Sequence, residues 1–339
     1  MFIENIENFD AWKLDKISDI INQKTLTEIF GEHKISEMSI KQQKFLNGLI
    51  RYIKPKKILE VGVSAGASSA IILNAIEDIE GSKLYSVDYS KQYYKSPSKK
   101  TGWVVDEYFQ HLSNKWELNT GGPLAKFIEN IGNDIDVCLL DTMHMNPGEI
   151  LDLLVVLPFI KKNGIIILHD TCLHIYLEKI YEHKHYYTNG LIFSVLKGEK
   201  YMLPEHAIKN VGNIGAVKLS DNVMEYIFDY FYLLTLPWSY IPNDEDFVFL
   251  KNIYSKYYTK ELVDFFDGVV KFKKTNNSHT VIDNLVNNGK IFNKIVKDIT
   301  WWIPIKKLRY NVRNKLLYGL EFNDDASKMQ KQWKGIIKS

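Results

Sequence analysis

Cysteine is scarce in this sequence: Cys138 and Cys172 are the two it has. That excludes a disulfide framework as the source of stability. Each thiol sits in or just after an apolar run, where a small core residue is expected, and two such thiols suit a reducing cytosol. Long apolar runs are missing too. No segment reaches the roughly 20 uninterrupted apolar residues of a membrane helix. The opening residues, MFIENIENFDAW, carry acids and lack the apolar stretch of a secretory signal. A cytoplasmic protein is the expectation. There is no large excess of charge of either sign, the formal net charge being +2, so nucleic acid is not an expected partner. Repeats of fixed period and low-complexity segments are absent as well. What remains is an ordinary globular composition, 45% apolar and 25% charged over 339 residues, with room for one large domain and additions.

The charge is unevenly placed. From Lys290 onward twelve basic residues face four acids, a local net of +8, which leaves −6 for the rest. Two tryptophans, Trp301 and Trp302, stand in that stretch, within WWIPIKKLRYNVR. Aromatic rings beside bases suit peripheral contact with the inner membrane surface. The plainer alternative is a terminal helix packed on its own domain. The tail reads as a separate basic helical segment over 276–339, set off by the polar stretch KKTNNSH.

Residues 1–54 read as an N-terminal helical extension. Leu14, Ile17 and Ile21 fall at helical spacing, Leu26, Ile29 and Phe30 continue an apolar face, and the last helix contains Phe45, Leu46, Leu49 and Ile50 before Pro55. Residues 55–275 then alternate short apolar runs with amphipathic ones. KILEVGV, KLYSVDY, IDVCLLD and GIIILHD are strands; SSAIILNAIEDI and PGEILDLLVVLPFI are helices; KYMLPE and NIGAVKLS form a closing antiparallel pair. Continuous apolar strands joined by helical crossovers define an α/β, doubly wound, mostly parallel Rossmann-like sheet. An aromatic helical stretch follows from Val223 to about Phe272.

Three constellations carry chemistry. In the first, Glu60-Val61-Gly62-Val63-Ser64-Ala65-Gly66-Ala67-Ser68, a strand ends in an acid, a small-residue turn follows and a helix begins. Gly62 and Gly66 keep side chains out of the way of a nucleoside, and the helix-start amides with the Ser68 hydroxyl suit an anionic group. The plain alternative is a tight strand–helix turn. In the second, Asp88 ends the next strand, where an acid accepts hydrogen bonds from both ribose hydroxyls. Nicotinamide enzymes share that device, but the G-x-G-x-x-G pattern is missing because Ser64 stands two after Gly62. In the third, Asp141-Thr142-Met143-His144 and His169-Asp170-Thr171 end neighbouring strands and so face one cleft. Their plainer readings are a turn cap for Asp141, a satisfied loop histidine for His144 and an orienting residue for His169. His174, His183 and His185 are assigned at most a place on the pocket rim, and Asp106, Glu107 and His111 a solvated face.

The E-x-G-x-x-x-G turn resembles motif I of class I S-adenosylmethionine methyltransferases. LLDTMH, the helix after PGEILD and LPFIKKNGIIILHDT are similar to the catechol-, macrocin- and cephalosporin-hydroxylase-type O-methyltransferase branch. The resemblance covers roughly residues 45–220. It implies S-adenosylmethionine as cofactor, held by Glu60, Gly62, Ser64, Gly66, Ser68, Asp88, Gly121, Gly122 and Asp141. It further implies catalytic roles for Asp141, His144 and His169, with His144 as the base, and Asp141 and Asp170 as ligands of an optional magnesium ion. Two departures stand out: Thr171 replaces the asparagine of the catechol type, and His169 replaces an acid of the macrocin type. The weak WxIP-basic resemblance of the tail to bacterial enzymes of surface polysaccharide assembly points to a sugar hydroxyl as acceptor. A homo-oligomer is compatible with all of this. Three other functions share the sheet: an NAD-dependent nucleotide-sugar oxidoreductase, a glycosyltransferase lacking its D-x-D motif, and a catalytically silent nucleotide-binding scaffold.

Overall fold

The apolar runs become neighbouring strands of one sheet because each is apolar at successive positions and so is buried on both faces. The computed structural model describes residues 15–174, 188–203 and 212–275. After a hairpin of β1 (Lys24–Thr27) and β2 (Gly31–Lys34) come β3 (Lys57–Val61), β4 (Lys83–Asp88), β5 (Trp116–Thr120), β6 (Ile135–Leu140), β7 (Ile160–His169), β8 (Gly198–Met202) and β9 (Ile214–Leu219). The last seven form a sheet in the order β5-β4-β3-β6-β7-β9-β8. From β5 to β7 the neighbours run parallel; β9 is antiparallel to both β7 and β8. Strand order reverses between β3 and β6, which opens a crevice at their carboxyl ends.

The helices are α1 (Asp15–Ile21), α2 (Ile40–Ile53), α3 (Ala67–Ala75), α4 (Trp103–Tyr108), α5 (Ile128–Ile131), α6 (Gly148–Val156), α7 (Thr188–Val195), α8 (Ile227–Tyr232), α9 (Asp244–Tyr257) and α10 (Lys260–Thr275). Alternate residues of each strand serve two cores. Along β6, Val137 and Leu139 join the α2 and α3 side, while Cys138 and Leu140 join the side of α6, α9 and α10. Both cysteines are buried, and they are not joined in a disulfide. The second core is aromatic: Phe266 meets Tyr254 edge-on at 4.9 Å, and Phe231 meets Tyr258 at 5.0 Å.

Two elements differ from the sequence reading. Residues 24–34 form a hairpin, where a helical face was expected. The Thr27 hydroxyl donates to the Gly31 carbonyl and accepts from the Phe30 amide, and Gly31 turns with φ 71°. Leu26, Ile29 and Phe30 are consequently exposed. Strand β5 was not foreseen because WELNT lies at the sheet edge, half-buried, and its mixed polarity breaks any apolar run. The foreseen KYMLPE strand ends at Met202. The tail, with Trp301 and Trp302, and the histidines His183 and His185 lie outside the described residues. Among the described residues, no helix is long and apolar enough to cross a membrane.

Candidate functional site

The turn after β3 is built by contacts within the protein. Gly62 takes φ 95°, and a Cβ there would lie 1.8 Å from the Asp141 carbonyl oxygen. Gly66 takes φ 93° and faces the Gly102 backbone at 3.0 Å. Both glycines are therefore demanded by backbone packing, whatever else the turn holds. Glu60 and Ser68 lie beneath the same turn. The Glu60 carboxylate is fully buried and accepts from the hydroxyls of Ser68, Ser69 and Ser86, each at 2.6 Å. Burial outweighs those bonds and pushes its pKa up to about 7. Both residues brace the turn from beneath, because their polar atoms are already satisfied by one another.

Asp88 lies at the surface of the crevice. Its Oδ2 accepts from the amides of Val63 and Ser64 at 2.9 and 3.0 Å, and its Oδ1 from the Ser90 amide at 2.8 Å. Ser64 itself sits at φ 53°. A carboxylate has about four acceptor sites, so the amides leave capacity for a ligand hydroxyl. Beside Asp88 opens a cavity of about 310 Å³, lined among others by Tyr89, Gly121, Gly122, Asn243, Asp246 and Phe249. That is the lower end of the range for ligand pockets, about 300–1,000 Å³. Gly121 and Gly122 reach it because β5 delivers them directly.

The wall from α9 was not foreseen. Asn243 caps that helix and also donates to the Tyr89 hydroxyl at 2.8 Å; the hydroxyl in turn donates to Asp246 at 3.2 Å. An Asn followed by three acids announces a helix start in the sequence, but not its place over the crevice.

The strand-end residues of β6 and β7 gather into one cluster. His144 Nε2 lies 3.3 Å from Asp170 Oδ2 and 3.7 Å from Asp141 Oδ1. One ligand atom each from Asp141, His144 and Asp170 falls within 4.8 Å of the others, a spacing able to hold a metal ion. Asn213, from the turn before β9, donates to Asp170 Oδ1 at 2.6 Å. His144 and Asp170 both hold left-handed backbones, φ 57° and 56°. Burial pulls the His144 imidazole down, but Asp170, Asp141 and Glu149 together hold it above its ordinary value. Burial likewise raises Asp141, yet His169 and His144 outweigh it and keep the acid below the usual range.

His169 is buried, with Nδ1 at 3.1 Å from Asp141 Oδ1 and Nε2 at 3.3 Å from Gln42 Oε1. It contacts Asp141 from behind. Gln42 was missed as a neighbour of this cluster. Its capping box with Ser39 is legible as S-x-x-Q, and the same side chain reaches across to β7. Thr171 is also buried and donates to the Gly212 carbonyl at 3.0 Å, which turns it away from the acids.

The mostly parallel sheet with its antiparallel closing pair is a doubly wound, Rossmann-like fold. Residues 59–171, from β3 through the turn after Asp170, match the family model described as a methyltransferase domain. The match spans about a third of the chain and likens that segment to a methyltransferase domain. Similar solved structures include the Bacillus cereus O-methyltransferase in complex with SAH, at 18% identity and TM-score 0.43, covering 63% of this chain and 99% of that one. The Streptomyces achromogenes O-methyltransferase TomG, in complex with SAM, has 13% identity and TM-score 0.41 over 54% and 81%. The SAH-bound Podospora anserina methyltransferase PaMTH1 has 14% identity and TM-score 0.41 over 54% and 80%. No curated protein sequence matches the chain.

The buried acid beneath the turn gives a testable sign. A raised folded-state pKa means Glu60 stabilises the fold fully below its unfolded value of 4.5 and loses that contribution as pH rises to about 7. Glu60→Gln has no proton to lose there. In urea unfolding, the stability of the native protein relative to this variant should fall across that window. A constant difference from pH 4.5 to 7 would show that Glu60 does not hold a proton in the fold.

Proposed function

We propose that the chain is an O-methyltransferase whose acceptor hydroxyl lies over Asp141 and Asp170 and gives its proton to His144. The observation that carries this reading is the Asp141–His144–Asp170 cluster at the carboxyl ends of β6 and β7, one backbone contact away from the Gly62 turn. S-adenosylmethionine, when bound, supplies a methyl group on an electrophilic sulfonium. Asp88 then holds the ribose, and Tyr89, Gly121 and Gly122 line the place for the base. Asp141, fixed by His169, faces the seam between the two halves. His144 has its Nε2 toward both acids, and its raised pKa makes it a stronger proton acceptor than a free imidazole.

The same cluster fits a cation. Asp141 and Asp170 offer hard anionic oxygens, the donors magnesium prefers, and each acid has one oxygen steadied by a neighbour, His169 or Asn213. Asp141 and Asp170 would hold magnesium, with water completing its shell because Thr171 is turned away; the ion would make the acceptor hydroxyl more acidic. The acceptor we assign is a sugar hydroxyl of surface polysaccharide assembly. Its weak acidity is what a base between two acids is suited to, and the ending of the tail supports the choice.

Asp88→Ala should weaken binding of S-adenosylhomocysteine by about 1.5–3 kcal/mol, the size of a lost charged hydrogen bond. Unchanged affinity by calorimetry would take Asp88 out of the cofactor site.

Turnover, scored by S-adenosylhomocysteine release on a panel of sugar and catechol acceptors, should rise with pH through a midpoint above 6.5, since His144 must be neutral to act. His144→Gln should abolish that rise, and EDTA should lower the rate until magnesium is restored. Full activity of the variant would dismiss the base, full activity in EDTA the cation, and catechol methylation with no sugar product the acceptor.

The basic tail is proposed as a peripheral membrane anchor. Co-sedimentation of the whole protein with anionic vesicles should be clear at low salt and fade as salt rises. Absence of the protein from the vesicle pellet at low salt would refute it.

A further inference from the structure

The acids of the cleft account for one side of His144, and its other ring nitrogen faces the interior. Nδ1 is buried without a hydrogen-bond partner. Glu149, at the start of α6, is 0% exposed, and its Oε1 lies 3.6 Å from that nitrogen. The same Oε1 accepts the backbone amide of His144 in a short contact, while Oε2 is buried with no partner. A buried ring nitrogen without a partner is costly, and the carboxylate beside it has acceptor capacity to spare on both oxygens, so one N–H donated to it relieves the cost. A small rotation of the imidazole closes the gap.

We infer that Glu149 is the positioning residue of His144: it takes the Nδ1–H, which leaves the Nε2 lone pair directed at the acceptor hydroxyl between Asp141 and Asp170. This rests on the proposed role of His144 as base and names the group that keeps it in the working tautomer. The turn from His144 to Glu149 brings the two together. The left-handed backbone of His144 aims its amide at the carboxylate, and α6 fixes the carboxylate from the other side. A carboxylate behind a histidine sets which nitrogen carries the proton, and a wrong tautomer disables the base even when the ring stays in place. Asp152, one turn further along α6, is held by the Thr142 hydroxyl at 3.3 Å.

The test is ¹⁵N NMR of the histidine rings in the S-adenosylhomocysteine complex, with EDTA present and at alkaline pH, where the ring is neutral. His144→Gln assigns the resonance. The native protein should show Nδ1 protonated and Nε2 bare. Glu149→Met, which keeps volume but removes the acceptor, should shift the ring to a mixture or to the Nε2–H form. Glu149→Gln should retain the native pattern, because its carbonyl oxygen is held in place by the His144 amide. In turnover, Glu149→Met should lower kcat on the order of 100-fold, the lower end of what a general base contributes, with KM for S-adenosylmethionine unchanged. An Nε2–H tautomer in the native protein, or an identical ring spectrum in Glu149→Met, overturns the assignment. If Glu149→Met does not fold, a Glu149→Gln ring that leaves the Nδ1–H form overturns it equally. The spectrum needs no acceptor, so a failure of His144 as base would appear in turnover alone and leave the tautomer result standing.

Discussion

The contact between Gly62 and the Asp141 carbonyl is the constraint on which the site depends. At 1.8 Å from the position of a Cβ, it admits no side chain at residue 62. The Gly62 amide donates to Val87, and the Asp141 amide to Val61, both at 2.9 Å, so the ends of β3, β4 and β6 are tied by backbone alone. One tie lies under the cofactor turn and the other under the acid cluster. Methyl transfer requires reacting atoms about 3–3.5 Å apart and in line. Backbone bonds between strand ends set such a distance more rigidly than side chains could.

The same end of the sheet collects an unusual number of carboxylates, and each is handled by a different chemistry. Hydroxyl donors surround Glu60, backbone amides hold Asp88, imidazoles flank Asp141, and an amide side chain steadies Asp170. Burial raises Glu149 and lifts Asp152 to about 7, so these two carboxylates cost more to ionise than they would in water.

Much of this was legible in sequence. Buried parallel strands leave continuous apolar runs, and strand-end acids stand at the last position of each, so β3, β4, β6 and β7 with Asp88, Asp141 and Asp170 could be read directly. The roles of Glu60, Ser68 and His169 could not. Whether a polar side chain faces ligand or protein depends on partners far along the chain, such as Ser86 for Glu60 and Gln42 for His169. The hairpin misled for a local reason: Leu26, Ile29 and Phe30 fit helical spacing, and only the Thr27–Gly31 turn decides otherwise. Edge strand β5 left no periodic trace because of its mixed polarity, while α9 was legible as helix but its place over the crevice was not.

That docking has a consequence in time. Tyr89 is bonded by Asn243 and Asp246, more than 150 residues later in the chain. Segments synthesised first fold first, and contacts of such high sequence separation form late. A nascent chain emerging from the ribosome would carry the glycine turn, Asp88 and the acid cluster well before α9 arrives to wall the cavity beside them. Until then the nucleoside side of the crevice stands open to water. The cavity gains this wall only after nearly all of the described residues have been made.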